Sequence, residues 1–284
     1  MERSVLVGVD GSESALQAVR WAAGEAVRRG APLLVEYAWV WPLYRVSLGP
    51  APGAPAGAGL QAQAERVLAD AVDAARRVAP ELDVDSRLVT GDTAARLVEG
   101  SKNAQLLVVG SRGLGGFAGL LLGSVGVACA MHAACPVVVV RGEAGRSGPV
   151  VLGIDGHDRS HHAVSEAFAL AQRLGAPVRA VHSFTVPLRQ EGASSYRDHL
   201  VAAEEDARAL VEKELAAARV DYPDVEVEVV LGDHPPAKEL LLHSETAGIV
   251  VVGARGSGGF AGLLLGSTSQ ALVHHSHCPV MVVR

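Results

Sequence analysis

The chain repeats itself, and that repeat limits what it can fold into. Residues 110–124 read GSRGLGGFAGLLLGS and residues 253–267 read GARGSGGFAGLLLGS, identical at thirteen of fifteen positions with an offset of 143. Each copy continues through helix-compatible residues to a Cys-Pro pair (Cys135-Pro136, Cys278-Pro279) and a valine-rich run closing in Arg141 or Arg284. The starts correspond too: residues 5–11 (VLVGVDG) match residues 150–156 (VVLGIDG) at an offset of 145. A whole unit is therefore duplicated, with small loop changes. This predicts one domain over 1–142, a Gly/Arg/Ser-rich linker over 143–148 and a second domain over 149–284. With 284 residues, each copy has enough chain to bury its own core.

Within a copy, short apolar runs alternate with helical stripes. Strands are expected at 4–10, 32–40, 83–90, 105–110 and 136–141 of the first copy. After Asp10, Ser14 and Gln17 have the spacing of a capping box, and apolar residues from Ala15 to Val27 recur at helical intervals. A second helix is expected over 60–79; its counterparts in the second copy fall near 160–174 and 195–220. Such alternation implies an α/β fold of two tandem Rossmann-like domains, each a parallel sheet covered by helices on both faces. The tract GPAPGAPAGAG at 49–59 reads as a mobile surface connector, and 185–195 is its dissimilar counterpart.

Composition removes several classes of function. A formal charge of −6 with no basic cluster argues against a nucleic-acid binder. Three cysteines are too few for a disulfide framework and favour a reducing, cytoplasmic setting. Met1-Glu2-Arg3-Ser4 leads into only a short apolar run, so no signal peptide is expected. Residues 117–140 lack Asp, Glu, Lys and Arg, as a membrane span would, but glycines, His132 and Pro136 interrupt them. They read better as loop, helix and buried strand than as a span.

Chemistry should gather where parallel strands end. Asp10 and Asp155 follow the first strand of each copy. The pattern Gly-x2-Gly-x9-Gly-Ser follows the fourth strand, as Gly110, Gly113, Gly123 and Ser124, and as Gly253, Gly256, Gly266 and Ser267. Glycines allow close approach of backbone to a ligand, and the Gly-Ser pair opens a helix whose bare amides attract anions. Ser124 and Ser267 can cap that helix or donate to a phosphate oxygen. A loop needed only for turning would tolerate change, so near-identity of the two copies favours a ligand. The aspartates read equally as helix caps, and Arg112 and Arg255 either meet phosphate or stay solvated. No lysine completes a Walker-type loop. The Gly-x-Gly-x-x-Ala match at 113–118 lacks the acid that dinucleotide sites need. The run His274, His275, His277 and Cys278 sits at a helix end, where histidine suits the dipole, so no metal ligand is assigned. Cys135 and Cys278 read as small buried apolar residues. His161 and His162 open a helix without a recognisable partner. Neither a Ser-His-Asp arrangement nor a redox Cys-x-x-Cys is visible.

The strand-end aspartate together with Gly-x2-Gly-x9-Gly-Ser resembles the universal stress protein family in its ATP-binding subtype, twice over, as in its tandem members. The resemblance implies an adenine nucleotide alpha hydrolase-like sheet ordered 3-2-1-4-5 in each domain, and pairing of domains or protomers through the last strand, hence a homodimer. It implies ATP, with Mg²⁺ held by the phosphates. Asp10 and Asp155 would contact adenosine, and the backbone at Ala38 and Ser183 would lie against adenine. Val109, Gly110, Gly113, Gly123, Ser124 and Val125 would surround ribose and phosphates, as would Val252, Gly253, Gly256, Gly266, Ser267 and Thr268. The second copy departs at Thr268, where valine is commoner, and at Gly156-His157-Asp158. The expected role is a nucleotide-dependent stress regulator without a catalytic residue; the alternatives are a weak ATPase or phosphotransferase, or a scaffold that binds no nucleotide.

Overall fold

The computed structural model describes residues 3–39, 59–113, 123–156, 160–184, 193–256 and 264–284. Its chain divides into two compact units, Met1–Ala144 and Gly145–Arg284.

The first unit runs β1 (Ser4–Val9), α1 (Glu13–Arg29), β2 (Leu33–Trp39), α2 (Leu60–Val78), β3 (Val84–Thr90), α3 (Thr93–Ser101), β4 (Ala104–Gly110), α4 (Ser124–His132) and β5 (Val137–Val140). Its strands lie in the order β3-β2-β1-β4-β5, all parallel. The second unit runs β6 (Val150–Ile154), α5 (Ser160–Leu174), β7 (Val178–Ser183), α6 (Ala193–Asp221), β8 (Val227–Gly232), α7 (Pro236–Ser244), β9 (Ile249–Gly253), α8 (Ser267–His275) and β10 (Val280–Val283). Its parallel order, β8-β7-β6-β9-β10, is the same path.

The apolar runs explain the layering. Val137–Val140 and Val280–Val283 are buried at every position, as strands covered on both faces must be. Helices α1 and α2 pack together on one face of the first sheet, and α3 and α4 on the other; α5 with α6, and α7 with α8, repeat this. Alanine makes the fit close in α1, where Ala15, Ala18, Ala22, Ala23 and Ala26 are buried. In α5 the core is filled by bulk instead, with Phe168 and Leu170 fully buried. On the outer strands Glu36 of β2 accepts from Arg87 Nε of β3 at 2.9 Å, and Arg179 of β7 donates to Glu228 of β8 at 2.6 Å. Partnering of this kind lets Glu36 be buried at 1% exposure.

Two local expectations change. The cap of α1 is Ser12, in extended conformation (φ −75°, ψ 155°), whose hydroxyl accepts from the amide of Ala15 at 3.2 Å. Ser14 already lies inside the helix, so no Ser14/Gln17 capping box forms; its hydroxyl accepts instead from the amide of Arg112 at 3.2 Å. Helices α3 and α7, too short to stand out by periodicity, were not anticipated. In the 117–140 stretch, the described part forms α4 and β5, and no helix among the described residues is long and apolar enough to cross a membrane. The connector at 49–59, apart from Gly59, and residues 114–122 and 257–263 of the repeated loops lie outside the described residues. So do 185–192 of the connector's counterpart.

Candidate functional site

Strand order reverses between β1 and β4, because β1 leads to β2 and β3 on one side while α3 carries the chain back to β4 on the other. The same holds between β6 and β9. A crevice opens at the carboxyl ends of such strand pairs. In the first unit it is a cavity of about 360 Å³ lined by Asp10, Val109, Gly110, Gly113, Gly123, Ser124 and Val125, with Arg112, Thr93 and Leu97 also in its wall. In the second, a cavity of about 320 Å³ is lined by Asp155, Ser183, Val252, Gly253, Gly256, Gly266, Ser267 and Thr268, together with Arg255, His182, Pro236 and Leu240. Residues about 100 positions apart in sequence thus meet in one place. Ala38 stands apart: it is buried, does not line the first cavity, and its carbonyl accepts from Thr93 Oγ1 at 3.3 Å.

The aspartates are placed by a sharp turn. Gly11 and Gly156 have φ of 88° and 80°, the left-handed region that glycine enters without cost. The turn brings the Ser12 amide onto Asp10 Oδ1 at 3.0 Å. Because Ser12 caps α1, Asp10 does not, and its other oxygen faces the loop glycine. A Cβ on Gly113 would run into Asp10 Oδ2, and one on Gly256 would come to 2.9 Å from Asp155 Oδ2. Gly110 is confined as well, since a Cβ there would fall 2.7 Å from Ser14 Oγ. Gly110, Gly113 and Gly256 are glycine because the first turn of α1 or the strand-end carboxylate occupies the space.

At the far side of each cavity a helix begins without a side-chain cap. The N-caps of α4 and α8 are Gly123 and Gly266, not the following serines, and neither has a side-chain hydrogen bond. The cap amides are used: Gly123 N donates to Ser111 O at 2.9 Å and Gly266 N to Ala254 O. The next amides, at Ser124, Val125 and Gly126 and at Ser267, Thr268 and Ser269, precede the first intrahelical donor. No partner appears for them among the described residues. Each first turn thus offers up to three N–H groups at the positive end of a helix dipole, a ready anion site. Arg112 and Arg255 are exposed at the same rims. The structure also supplies residues that the sequence did not single out: Thr93, Leu97, His182, Pro236, Leu240 and Ser269. All but Ser269, in the first turn of α8, come from a strand end or from the unanticipated α3 and α7. Ser269 Oγ donates to Gly253 O at 2.6 Å, tying α8 to β9.

The remaining polar motifs fall elsewhere. His274 and His275 close the last turn of α8, and Cys278 is buried beside Ser276. Burial raises the Cys135 thiol to about 11 and the Cys129 thiol to about 12. His162 Nδ1 lies 3.2 Å from the carbonyl oxygen of Arg284.

Comparison with known proteins agrees with this architecture. A universal stress protein of Mycolicibacterium smegmatis is 36% identical over 294 residues, covering 100% of this chain and 97% of that one. One from Mycobacterium tuberculosis is 34% identical over 298 residues, with 100% and 97% covered. The crystal structure of a universal stress protein from Archaeoglobus fulgidus superimposes with a TM-score of 0.63 at 20% identity, covering 99% and 98% of the two chains, and shares the fold. The sequence pattern of the Universal stress protein family matches residues 1–141 and again 147–284. The chain belongs to the universal stress protein family, with two of its domains in tandem.

Proposed function

We propose that each unit binds one ATP and that the protein is a nucleotide-dependent regulator of the stress response. The observation that carries this reading is the pairing, in both units, of a carboxylate at the end of β1 or β6 with the bare first turn of α4 or α8 across one cavity. Cavities of this size stand at the lower end of those that hold small molecules. Asp10 and Asp155 would accept from ribose hydroxyls. The amides of Ser124 and Val125, or Ser267 and Thr268, would donate to phosphate. A hydrogen bond to a charged group contributes about 1.5–3 kcal/mol. Two or three of them beside the buried adenosine suit a micromolar affinity, about −8 kcal/mol, after the costs of association. Among the described residues the donor set near the phosphates holds amides and an arginine and no cluster of carboxylates, so Mg²⁺ would be carried by the nucleotide itself. The buried thiols suit the cytoplasm, and assembly as a homodimer belongs to the same reading.

Calorimetry with Mg-ATP tests it. Two sites per chain are expected, with one lost in Asp10→Ala and the other in Asp155→Ala. Mass spectrometry of ligand released from freshly purified protein should find an adenine nucleotide. A chain that binds none, as isolated or on titration, overturns the proposal. Sedimentation with and without ATP checks the assembly.

A further inference from the structure

The two units differ most in chemistry at the turn after their third strand. In the first, Gly91 and Asp92 lead into α3, and Asp92 Oδ1 accepts from the amide of Ala95 at 2.9 Å as an ordinary cap. In the second the turn reads Gly232-Asp233-His234-Pro235-Pro236 and is two residues longer, counted to the leucines, Leu97 and Leu240, that hold equivalent places beneath Gly8 and Gly153. That register sets Glu239 where the first unit has Arg96, and His243 where it has Gly100. Pro235 is the residue before α7 and makes no side-chain cap.

These changes set two imidazoles and an aspartate around one buried carboxylate. His234 Nδ1 is 2.9 Å from Glu239 Oε2 and 3.4 Å from Asp233 Oδ1, and His243 Nε2 is 3.5 Å from Glu239 Oε1. Ligand atoms from Asp233, His234 and Glu239 all lie within 4.8 Å of one another. In a tetrahedron with bonds near 2.0–2.1 Å, ligand atoms stand roughly 3.3 Å apart, close to the separations of His234 Nδ1 from Glu239 Oε2 and Asp233 Oδ1. Glu239 is buried, with a side chain 10% exposed, while Asp233 is open to solvent at 90%. Gly232 leaves room for the buried carboxylate, because a Cβ there would meet Glu239 Cδ. Two prolines stiffen the turn between Asp233-His234 and Glu239. Glu239 and His243, four residues apart, share a face of α7.

We propose that Asp233, His234 and Glu239 form a site for one divalent transition-metal ion, zinc by preference, with His243 holding the other oxygen of Glu239 from outside the shell. An imidazole and two carboxylates match the ligand types zinc takes, whereas magnesium and calcium favour all-oxygen shells. The metal would tie the turn after β8 to the first turn of α7. Pro236, in the wall of the second cavity, lies on the segment so tied. The site needs no nucleotide, so it stands or falls separately from the ATP reading.

The test is a zinc titration of the full-length protein, stripped by a chelator, against a chromophoric competitor. One Zn²⁺ per chain is expected. His234→Ala and His243→Ala should each weaken it by more than roughly tenfold, the loss that even an outer partner of a metal ligand can cause. Glu239→Gln should do the same, with circular dichroism to confirm that α7 remains. The double variant His275→Ala, His277→Ala should bind as the parent does. X-ray absorption of the loaded protein should show nitrogen and oxygen donors. Absence of stoichiometric zinc, sulfur among the donors, or loss in the His275/His277 variant with retention in His243→Ala would each overturn the proposal.

Discussion

The two cavities share a skeleton and differ in surface. Both are bounded by an aspartate just before a left-handed glycine and by a glycine-opened helix. Yet where the first has Val125 and Gly126, the second has Thr268 and Ser269. Ala38 withdraws from the first wall, while Ser183 joins the second, and its hydroxyl is buried with no hydrogen-bond partner among the described residues. Backbone groups, which any sequence carries, can be retained through duplication while side chains drift to adjust selectivity. An unpartnered buried hydroxyl is costly unless something fills the need. The second site is therefore the one in which ligand polarity should matter more.

The largest contrast lies under the sites. Phe168 of α5 is fully buried where α1 has Ala23. Phe168→Ala should cost about 3–5 kcal/mol in denaturant unfolding. A cost below about 1 kcal/mol would mean that the second unit does not depend on that bulk. Next is the contact between carboxylate and loop. Gly113→Ala should weaken ATP binding at the first site by roughly ten- to a hundredfold, because displacing Asp10 costs on the order of 1–3 kcal/mol. Gly256→Ala, whose Cβ would have more room, should lose less in the same calorimetry. Equal losses would erase the distinction between the units. Smaller still, Ser183→Ala should reduce nucleotide affinity at the second site by about fivefold, near 1 kcal/mol, and leave the first untouched. Unchanged affinity would mean that the hydroxyl serves no ligand.

The smallest effect at neutral pH concerns the thiols. Cys129 lies in α4 where α8 has the fully buried Leu272. Burial raises the Cys129 thiol from 9.0 to about 12, so the folded chain favours the neutral form. The stability this confers is complete below pH 9 and is lost as pH rises from there toward 12. Alkaline unfolding should therefore shift in Cys129→Ala, and alkylation at pH 8 should be slow until the chain unfolds.

Much of this was legible in the sequence, and for definable reasons. Strands buried on both faces advertise themselves as runs such as Val137–Val140, and the duplicated loop marked segments that line the two cavities. Helix α3 did not show, because nine residues with only Leu97 and Ser101 buried make a faint stripe. The cap of α1 was misread because Ser12 and Ser14 compete for the role. Backbone conformation decides between them, and composition does not record it. Likewise the polar cluster at Asp233 spans a proline turn whose spacing fits no familiar motif, and only the fold closes it.

One contact reaches beyond binding. Asp10 and Gly113 stand at opposite ends of their domain's sequence, yet the carboxylate fills the volume a larger residue would claim. Gly113 cannot be enlarged while Asp10 stays in place. A descendant that gave up the acid would at once release its distant partner from being glycine, so decay of such a domain should come in linked pairs of changes. Reading both positions together in a degenerate copy would tell whether the loop was abandoned or merely retuned.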